Sequence, residues 1–206
     1  MIRISGRGLG PVGTLVAQLD SSGRVATSLG GVQVLINGIA APLISVQASA
    51  IACMTPFEVS GHSSATVQIV QNGVASPTVT VGIKEVTFTP GVLSIANQNG
   101  TFNSASNPAH MGQSVTLYVT GFGPTNPSVP DGSIYKSPLP VAVYAVSAVG
   151  NKVTYAGPAP SLVAGVWAVN VTIASASTNP LPLTLVSSYQ VSFYTPQVTV
   201  QVWVSP

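Results

Sequence analysis

Charge is what this chain has least of. Six Lys and Arg and four Asp and Glu stand among 206 residues, 5% of the total, against about 25% in an average soluble domain. The six basic residues are scattered, so no basic stripe exists to track a phosphate backbone, and nucleic acid is excluded as a partner. Metal ligands are equally sparse. Asp20, Glu58, Glu85, Asp131, His62 and His110 lie far apart in sequence with no chelating spacing, so no metal site is assigned. One cysteine excludes an internal disulfide. Cys53 sits in the apolar run Ala50 to Met54 and reads as a buried, unreactive thiol. Long hydrophobic runs are missing too. The longest weakly polar stretch, Gly157 to Ala174, is interrupted by Pro158, Pro160, Gly165 and Asn170, whereas a spanning helix needs about 20 mostly apolar residues. No membrane span is expected. Met1-Ile2-Arg3-Ile4-Ser5 runs straight into strand-like sequence with no signal-peptide core, so the expectation is that an export signal has been removed or that the chain is part of a longer product. No segment repeats its apolar residues every 3.6 positions, which removes amphipathic helices.

What is present is turn and strand material. Seventeen prolines and 20 glycines punctuate intervals filled by Val, Thr and Ile, the composition of short strands joined by turns, and the chain reads as all-β. Ile2 and Ile4 alternate with polar neighbours and lead into the Gly6 to Gly13 turn. Asp20-Ser21-Ser22-Gly23 reads as a second turn. Val32, Val34 and Ile36 share one parity and end at Asn37-Gly38, a strong tight-turn signal, with Ala40 to Val46 as the return strand. Ala65 to Gln71 and Thr78 to Ile83 form an expected hairpin around Asn72-Gly73, with Val67, Ile69, Val79, Val81 and Ile83 facing one core.

The second half repeats this order. Gly121-Phe122-Gly123-Pro124 follows the strand Ser114 to Thr120 as Gly8-Leu9-Gly10-Pro11 follows Ile2 to Ile4, 113 residues later, and Thr195-Pro196 echoes Ser76-Pro77 at 119. A nearly constant offset argues for tandem duplication. The expected domains are 1–87 and 88–206. The hairpin Val141 to Ala156 around Gly150-Asn151 matches that around Asn37-Gly38, and Trp167, Val169, Val171 and Ile173 form a core-facing strand. In domain 2 a strand from Val92 to Asn97 precedes Ser114 to Thr120. Domain 1 has only Met1 before its equivalent, and so is expected to lack its first strand.

Asn97 to Ala109, Gly112, Thr120 to Pro124, Ala156 to Pro160 and Gly165 to Asn170, together with Ser5 to Pro11, Leu29 to Val32 and Asn37 to Leu43, closely resemble the uncharacterised C-terminal module of large secreted acidobacterial proteins. This chain departs from that module at Ala50-Ile51-Ala52, where Gln-Ile-Asn is usual, and at Ala168, where Gln is usual. The resemblance implies two tandem immunoglobulin-like β-sandwiches of the IPT/TIG type, exported, with no established activity.

Gly8-Leu9-Gly10-Pro11-Val12-Gly13 matches a dinucleotide fingerprint in letters only. The chemistry of that fingerprint needs a helix N-terminus and an acid about 20 residues on, and neither is visible. No Gly-x-Ser-x-Gly elbow exists, so no catalytic residue and no cofactor are assigned. The Asn-rich stretch reads as scaffold, its side chains bonding local backbone through Asn97, Asn103 and Asn107. By parity Tyr118, Tyr194 and Trp203 fall on polar strand faces, where aromatic rings can contact a protein or stack on a glycan. A missing first strand would leave Ile2 and Ile4 on a strand-accepting edge. The expected function is a non-enzymatic structural or adhesion module at the cell surface or outside the cell, self-assembling by strand addition into a filament or surface layer or completed by a parent polypeptide. Carbohydrate binding by the three aromatics is the alternative.

Overall fold

The computed structural model describes residues 1–83, 91–188 and 197–205. Among them the only helix is one 3-10 turn at Phe57–Val59, and the fold is an immunoglobulin-like all-β sandwich. The chain divides into two compact units. One holds Met1–Glu85 with Val129–Ile134, the other Val86–Ser128 with Tyr135–Pro206. The expected domain boundary near residue 88 lies outside the described residues.

The strands of the first unit are β1 (Ile2–Ser5), β2 (Leu15–Val16), β3 (Val32–Ile36), β4 (Ile39–Ala40), β5 (Leu43–Gln47), β6 (Ala50–Cys53), β7 (Ser64–Gln71), β8 (Val74–Ala75) and β9 (Val79–Gly82). One sheet runs β1-β6-β5-β2; the other runs β4-β3-β7-β8, with β9 also paired to β7. Val32, Val34 and Ile36 are buried while Gln33 and Leu35 are half-buried, the alternation that sets one strand face on a core. Leu43, Val46, Ile51 and Cys53 come from the other sheet to meet them.

Asn37 and Gly38 both have positive φ, 51° and 78°, as do Asn72 and Gly73, 50° and 81°. Positive φ at both central residues is the tight-hairpin conformation that matches strand twist, and Asn-Gly adopts it with least strain. The Asn37 side chain adds a bond from the Thr66 N–H, 2.8 Å. The expected return strand Ala40 to Val46 is instead split. After Pro42 the chain leaves β3 and pairs as β5 with β6, because a proline cannot continue the ladder. The Asn72-Gly73 hairpin is likewise shared, β8 taking the turn end of β7 and β9 the remainder. Asp20 holds its turn through one carboxylate oxygen, which accepts from the N–H and hydroxyl of Ser22 and the N–H of Arg24.

The second unit has β10 (Gly91–Ala96), β11 (Ala109–His110), β12 (Ser114–Thr120), β13 (Thr125–Asn126), β14 (Val141–Ala142), β15 (Val146–Ala148), β16 (Lys152–Pro158), β17 (Val166–Thr172), β18 (Leu181–Ser187), β19 (Gln197–Val202) and β20 (Val204–Ser205). Its larger sheets are β10-β12-β17-β16 and β15-β18-β19. β12, β17 and β16 pair as β1, β6 and β5 do, and β15, β18 and β19 pair as β3, β7 and β9 do. The expected hairpin around Gly150-Asn151 is not one. β15 joins β18 and β16 joins β17, so the turn crosses between sheets.

The core of this unit gathers Val115, Leu117 and Val119 with Trp167, Val169, Val171 and Ile173, faced by Leu183 and Leu185. Trp167 is 1% exposed and lies against Phe122, ring centroids 6.2 Å apart. Truncating a fully buried Trp removes its transfer energy and leaves a cavity. Trp167→Ala should therefore cost about 3–5 kcal/mol, measured as a loss of unfolding free energy in urea.

Candidate functional site

The site begins with a sheet edge. β1 pairs with β6 in the register Ile2↔Cys53 to Ser5↔Ala50, and among the described residues nothing pairs with its other side. Ile2 and Ile4 point inward, half-buried against the core of the first unit, while Arg3 and Ser5 are exposed. In the second unit the corresponding strand, β12, is bonded on both sides, by β17 and by β10. β10 also lies against β19 of the facing sheet. There Val198 and Val200 are half-buried on the core and Val202 is buried.

The counterpart of β19 is β9, and its valines are not covered. Val79 and Val81 stand opposite Val67 and Ala65 in register, so they share the core-facing side, yet they are 58% and 41% exposed. The expectation that both valines enter the core is corrected on this point. Their alternation puts them on the right face, but at the margin of the sheet an inward side chain is buried only if something lies across it.

The turn after β1 is structural. Gly6 N–H bonds Ser49 O at 3.1 Å and Leu9 N–H bonds Ala48 O at 3.0 Å. A Cβ on Gly10 would fall 2.5 Å from Val46 Cγ1, which is why a glycine stands there. No helix follows, so the letters of the dinucleotide fingerprint serve close packing. Cys53 is fully buried, and burial pushes its thiol up to about 11, leaving almost no thiolate at neutral pH.

The Asn-rich stretch is a hydrogen-bonded scaffold. Asn103 Nδ2 donates to Trp203 O at 2.7 Å and to Asn97 Oδ1 at 2.8 Å, while its Oδ1 accepts from the Trp203 N–H at 2.7 Å. One side chain thus satisfies both backbone groups of Trp203, as a neighbouring strand would. Asn97, 5% exposed, donates to Asn107 O, and Asn107 donates to Thr101 Oγ1 and Phe102 O. Phe102, 74% exposed, is held out on this frame. Sequence parity does not find it, because Phe102 lies outside any strand.

Of the three aromatics expected to make contacts, Tyr118 is half-buried on β12, opposite Ser94 of β10 and Ala168 of β17. Trp203 is half-buried between β19 and β20. Tyr118 is paired within the β10-β12-β17-β16 sheet, whereas Trp203 lies in no strand. Tyr194 lies outside the described residues. Tyr144 and Tyr155, which the parity reading passes over, line a cleft of about 670 Å³ together with residues 139–146 and 153–158.

The first unit also takes in Val129–Ile134, a segment that sequence alone leaves in a loop of the second domain. Val25 N–H bonds Gly132 O at 2.8 Å and Phe57 N–H bonds Asp131 Oδ1 at 3.1 Å. Burial, and then the neighbouring Glu58 carboxylate, push the Asp131 carboxyl up to about 6 against the lowering effect of the Phe57 bond. Among the described residues no three His, Cys, Asp or Glu side chains converge on a metal-sized site. None of the described helical structure is long and apolar enough to cross a membrane.

These features define an all-β protein of immunoglobulin-like sandwich architecture in which, among the described residues, the outer side of β1 is unpaired. The family model of the IPT/TIG domain matches residues 1–89. Domains of that family are commonly non-enzymatic modules of extracellular or surface proteins and often mediate protein interactions. No curated protein and no solved structure matches the chain, and the comparisons do not support an acidobacterial source.

Two outcomes follow from the hydrogen bonding. Asn103→Ala leaves the Trp203 N–H and the Asn97 amide short of partners, at about 1–3 kcal/mol for each group that stays dry; the melting temperature should fall and Trp203 fluorescence should shift to the red. A carboxyl that holds its proton more tightly folded than unfolded contributes stability that is complete below its ordinary value of 3.8 and lost as pH rises through about 6. Thermal melts of Asp131→Asn should lack that decline, since the amide oxygen still accepts from Phe57 and carries no charge to titrate.

Proposed function

We propose that this chain is a non-enzymatic structural or adhesion module, acting outside the cell or on its surface, whose first unit is completed by an added strand. We read the two units as tandem copies of one domain, of which the second carries a first strand, β10, that has no counterpart among the described residues of the first. The observation that carries the reading is the pairing of an open β1 edge with uncovered valines on β9. In the second unit one strand, β10, meets both needs, bonding β12 and lying against β19. A donor shaped like β10 would give β1 its missing ladder and bury Val79 and Val81, supplying main-chain hydrogen bonds for affinity and apolar contact for specificity. Ile2 and Ile4 form the acceptor edge.

The donor belongs to another copy of the chain or to an adjoining stretch of a longer polypeptide. Repeated head-to-tail donation between copies would build a filament or a surface layer. A carbohydrate platform on Tyr118, Tyr194 and Trp203 is the competing reading; Tyr118 and Trp203 are each half-buried, which leaves less ring face for stacking on a sugar.

A peptide with the sequence Gly-Val-Leu-Ser-Ile-Ala-Asn, residues 91–97, should slow amide exchange across Ile2–Ser5. Its affinity should fall about tenfold or more in the double variant Val79→Lys, Val81→Lys, which sets two ammonium groups where the donor must bury apolar surface. Light scattering at tens of micromolar and electron microscopy separate the two sources, since polymers require donation between copies. A monodisperse monomer whose Ile2–Ser5 amides are already protected and indifferent to the peptide would overturn the reading. Glycan-array binding lost in Trp203→Ala would replace it with the carbohydrate alternative.

A further inference from the structure

The second unit has an open edge of its own. β16 is the last strand of β10-β12-β17-β16, and among the described residues its outer side is unpaired. The corresponding strand of the first unit, β5, is covered on that side by β2, with Leu15↔Val46 and Val16↔Ser45 in register and Ala17 N–H bonded to Ile44 O at 2.8 Å. The segment that follows β12 as β2 follows β1 is β13. It turns away to pair with β14 instead, Thr125↔Ala142 and Asn126↔Val141. β14 lies against β16 without pairing to it, and the space left between them is the cleft of about 670 Å³.

We infer that this cleft is a docking site for an extended, uncharged, apolar segment of a partner polypeptide, which adds to the free edge of β16 as β2 adds to β5. The chemistry of the walls selects that occupant. Among the described residues no Asp, Glu, Lys, Arg, His, Asn or Gln lines the cleft, so a charged ligand finds no counter-charge. A sugar finds none of the planar amide or carboxylate groups that bind paired hydroxyls. The polar side chains that are present are already engaged: the Tyr155 hydroxyl donates to Pro158 O at 2.7 Å, Thr154 Oγ1 donates to Asn170 O at 3.4 Å, and Tyr144 also has a partner. Val141 and Val143 are 69% and 48% exposed on one wall. What the cleft offers is apolar surface beside a row of backbone groups, the combination that binds an added strand.

The chain supplies its own probe. A fluorescein-labelled peptide Gly-Thr-Leu-Val-Ala-Gln, residues 13–18, contains the β2 strand and carries no charged side chain. It should bind the intact protein, with a rise in anisotropy, and should slow exchange of the outward-facing amides of residues 152–157. Val143→Lys, a change at a half-exposed position, should weaken binding about tenfold while leaving the melting temperature unchanged. Unprotected outward-facing amides at residues 152–157, or equal affinity for the Val143→Lys variant, would overturn the inference. So would a neutral oligosaccharide that protects the same amides, or dimerisation that Val143→Lys abolishes, which would assign the cleft to a second copy. The site is independent of the β1 edge, whose test reads Ile2–Ser5, so either can fail alone.

Discussion

An unpaired strand edge is the constraint on which the arrangement of both units depends. A sheet margin presents N–H and C=O groups that must be paired, hydrated or covered, and an inward side chain beside that margin is buried only when something crosses over it. Among the described residues each unit closes one margin of the sheet that contains its β1-like strand and leaves the other unpaired. The second unit spends β10 on β12, and with it covers the valines of β19. The first unit spends β2 on β5. The exposure of Val79 and Val81 in one unit and the cleft beside β16 in the other are consequences of the same choice made at opposite margins.

Side chains can substitute for a strand where only one residue needs partners. Asn103 does so for Trp203, returning one donor and one acceptor to a backbone that has left β19 and not yet begun β20. The substitution works because Asn97, Thr101 and Asn107 hold Asn103 and its loop in place through bonds of 2.7 to 2.9 Å. A network of this kind is stable only when each member is satisfied. That explains the density of Asn, Ser and Thr in a connection that would otherwise cost much backbone entropy to order.

Much of the fold is legible in the sequence because the signals are local. Alternation places Val32, Val34 and Ile36 in one core and Trp167, Val169, Val171 and Ile173 in the other. Asn37-Gly38 and Asn72-Gly73 announce their turns because few other pairs tolerate two positive φ values. What alternation does not report is which sheet a strand joins. Ala40 to Val46 reads as one strand, and only the loss of a donor at Pro42, weighed against the pull of β6, divides it. Nor does alternation report coverage, since Val79 and Val81 have the pattern of core residues without the neighbour that would make them so. The cleft was illegible for a related reason. It arises from the turning away of β13, a two-residue strand whose partner, β14, lies beyond a long loop, and no local pattern encodes that choice.

The placement of charge bears on what each open edge accepts. With six cationic residues in the whole chain, one, Arg3, lies exposed in β1 and another, Lys152, begins β16. Cations on edge strands are a common guard against indiscriminate pairing. If the β1 edges of two copies met antiparallel in the register that sets Arg3 opposite Arg3, the two side chains would stand together, and like charges on facing strands repel. No such repulsion meets a strand such as β10, Gly-Val-Leu-Ser-Ile-Ala, which has no charge at all, or β2, Leu-Val. A single cation per edge therefore does little to block an uncharged donor but opposes pairing of an edge with itself. In a protein with so little charge to keep copies apart, that asymmetry would let an aggregation-prone margin discriminate among the donors proposed for it.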